Sequence, residues 1–394
     1  MSIATTMSAV LAPGTQPRSI SEKVCVTGAT GYIAVFVVRD LLAAGYHVRG
    51  TVRNRRDAAK LAPLLHLPGA DRLDIFEADM TDPSSFDDML RGCGGGLVHT
   101  ATPIEIPLDG TPPAATEDEA QRKQLGPAVD GTVALIRAAA RQGVRKIVLT
   151  SSIGAMRVTA KPPTLFDESC WSDETLLRSL LFTKGSACYC LAKTLQEREA
   201  TRLCAELDIG LCVICPALVI GPTLTPANHN FSLAGIARIV MGQGGNGLDP
   251  CMEGTVPDVV KGFVDVREVS EAHVRALVDP AAAGRYLLQS HNAHYAEIVA
   301  LARRTRLWLR ALLRALPVDS ADGRRHAIGV PFDSSRAFEG LGVTRIPLED
   351  SVRASVGALI DQGYWRGERR AAMAASALAL AALAATVTMA WRRR

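Results

Sequence analysis

The chain has 394 residues, about half of them apolar, and a formal net charge of +4. That is enough to bury a sizeable core in one large unit or two domains, and too little charge to imply nucleic acid as a partner. Nine cysteines (Cys25, Cys93, Cys170, Cys188, Cys190, Cys204, Cys212, Cys215 and Cys251) are scattered through apolar segments, which excludes the disulfide framework of a small secreted domain, and no second ligand pair stands at metal spacing around Cys212 and Cys215.

Residues 1–22 are rich in Ser, Thr, Ala and Pro, lack the apolar core of a secretory signal and read as a flexible leader. The stretch Val24-Cys25-Val26-Thr27-Gly28-Ala29-Thr30-Gly31-Tyr32-Ile33-Ala34 then reads as strand, glycine turn and helix. Gly28 permits the tight turn and Gly31 lets backbone approach a pyrophosphate. The helix starting near Tyr32 and Ile33 directs unpaired N–H groups and its positive dipole end at the phosphates. Ala34 stands where the fingerprint has its third glycine, and a dinucleotide is the expected guest.

Val35, Phe36, Val38, Leu41 and Leu42 recur at helical spacing up to Gly45, and a strand is predicted over 47–52. An NAD-preferring site carries Asp or Glu at the end of that strand. Here stands Arg53, followed by Arg55, Arg56 and Lys60. Arg53 and Lys60 suit a 2′-phosphate, so the expected cofactor is NADP(H), with a solvated basic loop as the alternative. Strands over 73–78 and 96–100 end at Asp79-Met80 and Ala101-Thr102. In a doubly wound parallel sheet ligands gather beyond the carboxyl ends of the strands. Asp79 and Met80 are therefore expected to frame the adenine, and Thr100, Ala101 and Thr102 the middle of the cofactor. Residues 104–119 read as a loop over the site. A helix over 129–140 and a strand over 146–150, ending in Ser151 and Ser152, follow.

These motifs, with Asp167-Glu168-Ser169-Cys170-Trp171-Ser172-Asp173, the Tyr189 to Lys193 pair, Pro216 to Pro222, Phe263-Val264-Asp265 and Gly284-Arg285-Tyr286, occur in an order that resembles the extended short-chain dehydrogenase/reductases, specifically the dihydroflavonol reductase and cinnamoyl-CoA reductase group. The resemblance covers residues 23–365. It implies an α/β fold with a doubly wound Rossmann-type parallel sheet and a smaller carboxy-terminal substrate lobe, and an NADPH-dependent reductase of a ketone or aldehyde on a small or medium-sized organic substrate. Such a reduction needs a proton for the carbonyl oxygen. Tyr189 is the candidate acid, and Lys193, four residues on along one helix face, is placed to lower its pKa. Ser152 would polarise the carbonyl. The family alignment selects Ser152 over Ser151, has Lys193 also hold the nicotinamide ribose, and sets Pro216 and Val219 against the nicotinamide. Arg157 stands where the flavonoid reductases of the group carry an asparagine, and the cinnamoyl-CoA signature is also altered around Tyr189. Neither substrate carries over, and an anion contact or a solvated arginine both stay open at Arg157.

Beyond the catalytic helix a strand is predicted over 211–220, a mobile glycine-rich substrate-side loop over 241–247, and a basic helix over 303–316 packed on the core with its charged face outward, a helix lying on a membrane surface being the alternative. Residues 371–391 form an uncharged Ala/Leu-rich run between arginines, read as a membrane anchor with the catalytic domain facing the cytosol; a cytoplasmic enzyme is the alternative. The rival functions are a hydroxysteroid dehydrogenase, a nucleotide-sugar epimerase or dehydratase, and an NADP-sensing scaffold. No metal is expected.

Overall fold

Val24 and Val26 belong to one hydrophobic layer and Cys25 to another, because successive side chains of a strand point to opposite faces. That alternation sets the architecture: a parallel sheet with a packed layer on each side. The computed structural model describes residues 22–104, 106–225, 231–245, 248–249, 251–305, 318–319 and 330–363.

The strands are β1 (Lys23–Thr27), β2 (His47–Val52), β3 (Leu73–Glu77), β4 (Gly96–His99), β5 (Lys146–Thr150), β6 (Gly210–Pro216), β7 (Leu218–Ile220), β8 (Val256–Pro257), β9 (Val260–Asp265), β10 (Gly284–Leu288), β11 (His291–His294) and β12 (Val318–Asp319). The helices are α1 (Tyr32–Ala43), α2 (Ala58–Leu65), α3 (Phe86–Leu90), α4 (Glu117–Ala120), α5 (Gly126–Arg141), α6 (Glu174–Ser179), α7 (Ala187–Glu206), α8 (Phe231–Val240), α9 (Val266–Val278), α10 (Tyr295–Thr305) and α11 (Leu348–Asp361). Seven strands form one sheet in the order β10-β6-β5-β4-β1-β2-β3, every pair parallel. The α1 and α9 helices pack on one face, α5 and α7 on the other. Strand order reverses between β1 and β4, the switch point where such a sheet opens a crevice. A second lobe is built on the sheet β11-β9-β7, with α8, α10 and α11 around its own core of Ile220, Ile236, Phe263, Tyr295 and Val356.

One expectation changes. The run over 211–220 is not one strand. It stays in the large sheet to Pro216 and re-pairs with β9 from Leu218 in the small sheet, turning at Ala217, whose N–H donates to Leu288 O at 3.0 Å. Cys212 and Cys215 also lie in opposite layers, an odd number of residues apart on a strand, so they cannot meet; all nine cysteines are free thiols. Residues 1–21, residues 306–316 of the basic segment and the run 371–391 lie outside the described residues. Among the described residues no helix is long and apolar enough to cross a membrane.

Candidate active site

The crevice begins at the glycine turn. Gly28 has φ +63°, and a Cβ there would lie 3.2 Å from the Ala101 Cβ. A side chain would therefore be strained and would push the β4 end away. Gly31 N–H donates to Gly28 O at 2.8 Å, closing the turn, and α1 begins at the next residue, Tyr32. A Cβ on Gly31 would meet Gly28 O at 3.1 Å. The glycines thus leave a cradle in front of the first N–H groups of α1, and a pyrophosphate fits that donor set.

Around the cradle, Thr27 Oγ1 accepts from the N–H groups of Thr100 and Ala101, each at 3.1 Å. Arg53 follows β2 directly and is exposed, as are Arg55, Arg56 and Lys60. Asp79, at the end of β3, accepts from Thr81 N–H and Oγ1 at 2.8 and 2.7 Å. Those bonds, more than the Arg53 charge, hold its carboxyl below the usual range. Lys60 Nζ lies 3.6 Å from Asp57, the residue that caps α2. Met80 is buried in the core, where the α5 backbone at Gly131 comes close to it, and it does not line the cavity described next.

Ile33, Thr100, Thr102, Ser152, Tyr189, Lys193, Pro216 and Val219 all line one cavity of about 520 Å³, within the size of small-molecule sites. Its apolar wall includes Ile104 and Ile106 from the loop over the site, with Phe166 and Phe332, whose rings stack at 4.9 Å. Leu248 lines it too, whereas residues 241–245 do not; Arg238 ties that glycine-rich turn to α8 through Gln243 O and Gly245 O.

Ser151 is buried and its hydroxyl donates to Glu197 Oε2 at 2.6 Å. Ser152 Oγ instead accepts from Gly154 N–H at 3.0 Å, and its hydroxyl is within hydrogen-bond reach of the Tyr189 phenol. Burial pushes the Tyr189 phenol up to about 12, against the pull of the Ser152 hydroxyl. Lys193 is 4 % exposed and spends all three ammonium protons, on Thr102 Oγ1 (2.6 Å), Thr150 O (2.8 Å) and Gln196 Oε1 (3.1 Å). Burial lowers it to about 7, with Glu197 opposing. The expected lowering of the tyrosine by the lysine is thus outweighed here: desolvation keeps the phenol protonated, and the ammonium is turned to neutral oxygens.

Two buried networks lie behind these residues, and sequence reading missed both. Gln196 Nε2 donates to Thr132 Oγ1 at 2.7 Å, His99 Nε2 lies 2.9 Å from the same hydroxyl, and His99 Nδ1 lies 2.8 Å from Thr27 Oγ1. A line of hydrogen bonds therefore joins Lys193 to the glycine turn. Glu197 pairs with Arg285 at 2.5 Å, and the Arg285 guanidinium stacks on Trp171 at 4.0 Å. Glu197, one turn after Lys193 on α7, was findable from helical spacing; Arg285 and Trp171 carry no local signal. Among the described residues no group of His, Cys, Asp and Glu could hold a metal ion.

The profile of the NAD dependent epimerase/dehydratase family matches residues 24–288. The chain is 36% identical to cinnamoyl-CoA reductase 1 of Oryza sativa subsp. japonica, over 87% of this chain and 92% of that protein. It is 33% identical to the bifunctional dihydroflavonol 4-reductase/flavanone 4-reductase of Malus domestica, over 72% of this chain and 76% of that one. Among solved structures, Gre2 in complex with NADPH from Candida albicans superposes with a TM-score of 0.70 at 27% identity, covering 87% of this chain and 99% of that one.

Proposed function

We propose, from the premise that the chain belongs to the NAD dependent epimerase/dehydratase family and to its dihydroflavonol reductase and cinnamoyl-CoA reductase-like group, that it reduces a ketone or aldehyde on a small or medium-sized organic substrate. It is an NADP-dependent oxidoreductase. The observation that carries the reading is the convergence of Ser152, Tyr189 and Lys193 on one cavity that reaches the start of α1 at Ile33. The glycine turn would hold the pyrophosphate, Arg53 the 2′-phosphate, and Thr100, Ala101, Thr102, Pro216 and Val219 the inner half of the cofactor. When bound, NADPH supplies the hydride. Tyr189 Oη gives its proton to the carbonyl oxygen as that atom gains charge, and a phenol held near 12 arrives in the protonated form this role needs. The Ser152 hydroxyl donates to the same oxygen. Lys193 fixes the Thr102 hydroxyl and the end of β5 beside them.

The test is NADPH oxidation by purified protein across ketones and aldehydes, with Tyr189→Phe as the variant. Removing a general acid typically costs ~10²–10⁴-fold, so kcat is expected to fall by at least about a hundredfold with NADPH affinity retained. A variant keeping more than about a tenth of the rate would sink the assignment of Tyr189. A further part of the proposal is that residues 371–391 tie the enzyme to a membrane, with its catalytic domain on the cytosolic side. The support is the uncharged run itself, about the 20 residues a spanning helix needs.

A further inference from the structure

The active-site cavity carries more positive charge than carbonyl reduction uses. Arg157 and Lys261 line it together with Lys193, and no Asp or Glu is among the described lining residues. The Lys261 charge is answered from behind the wall, Nζ lying 2.7 Å from Asp249 Oδ1, with both side chains largely buried. Arg157 has no such answer: its Nε is buried with no hydrogen-bond partner among the described residues. A guanidinium nitrogen removed from water and left unpaired costs free energy that a ligand can return. The Arg157 charge is felt by two other lining groups, drawing the Tyr189 phenol down and pushing the Lys261 ammonium down as a like charge, in each case less than burial does.

We propose that the substrate carries a carboxylate, held by the Arg157 guanidinium, while its hydrocarbon part lies against Ile104, Ile106, Phe166 and Phe332. The carbonyl of this oxo acid rests on the reductase reading above; the anion does not. The balance of charge selects the class. Asp249 takes up Lys261 and the three Lys193 protons are bound by protein oxygens, which leaves Arg157 as the lining cation with an N–H still unpaired among the described residues; a single guanidinium of this kind suits a monoanion better than a phosphate of nearly two charges. The planar fork of arginine also matches a carboxylate through two parallel bonds.

The experiment is calorimetric binding to the NADPH-loaded full chain. Benzoate, phenylacetate and 4-phenylbutyrate are compared with their neutral, nearly isosteric amides. At least one carboxylate is expected to bind about tenfold or more tightly than its amide, the factor a charge-assisted hydrogen bond carries. Arg157→Met should bring that ratio to within about threefold of one, and Arg157→Lys should keep part of it. Equal affinities in all three pairs overturn the proposal, as does an Arg157→Met protein that binds NADPH normally and keeps the full preference. If Arg157→Met loses NADPH binding, the ratio in the unsubstituted protein decides alone. Reduction of neutral ketones without any carboxylate preference overturns this inference and leaves the reductase standing; a carboxylate preference with no carbonyl reduced does the reverse.

Discussion

Lys193 shows how a single buried charge is managed. Its ammonium points at three neutral oxygens, and one of them, on Gln196, passes the contact through Thr132 to His99 and on to Thr27. His99 is buried between two hydroxyls, and desolvation lowers its pKa to about 3; His273, bonded to Thr150 Oγ1 and Val269 O, falls to about 4 for the same reason. The ordinary value is about 6.5. Between pH 6.5 and these values the unfolded chain takes up protons that the folded chain refuses, so stability is lost as pH falls through that window. In mid-window each histidine contributes a slope of about 1.4 kcal/mol per pH unit. His99→Asn should flatten the pH dependence of the urea unfolding free energy between pH 6 and 4 by about that amount. An unchanged slope would show that His99 is not held neutral.

At the scale of elements, the α5 helix shows packing overriding propensity. Gly131 lies in its interior, where alanine would be favoured by about 1 kcal/mol. A Cβ there, however, would lie 2.5 Å from Met80 O, a backbone atom that cannot swing aside. Overpacking of this kind costs ~1–3 kcal/mol, so Gly131→Ala should lower the unfolding free energy by about 1–2 kcal/mol, read from the urea midpoint at constant m. A stabilised variant would mean that α5 can lift freely from the sheet. What was legible in the sequence follows the same division between local and distant causes. The strands over 47–52 and 146–150 were readable to the residue because their apolar runs end at glycine or turn signals. The glycine turn, Tyr189 and Lys193 announce themselves through short spacings. The change of sheet at Ala217 did not, because it is decided by β9, a partner strand far along the chain, and nothing in the period of residues 211–220 registers it. The Lys193 environment was misjudged for a related reason: its acceptors come from β5, from Thr102 and from its own helix, and only the folded chain shows that they outcompete the tyrosine.

For the whole molecule, the first question is where it resides. The run 371–391 holds Ser376, Thr386 and Thr388 as its only hydroxyl groups, and a spanning segment of the kind proposed above tolerates such groups when they bond to nearby backbone. Full-length chain should therefore remain with cell membranes after alkaline carbonate extraction, while a chain ending at Arg370 should be released; equal release of the two would remove the anchor. The second question is how the lobes meet. The backbone passes between the two lobes at Ala217, at Asp265, at Gln289 and Ser290 and again near Ile346. These passages are held side by side: Ala217 N–H bonds Leu288 O at 3.0 Å, Ser290 N–H bonds Phe263 O at 2.9 Å, and Ile346 N–H bonds Glu268 Oε1 at 2.6 Å. These bonds join the lobes along one line, so any opening of the crevice that keeps them intact must be a rotation about that line and not a slide across it. The Ala217 amide should accordingly exchange slowly and at the same rate whether NADPH is present or removed, and exchange that quickens on removal would mean that the seam itself comes apart.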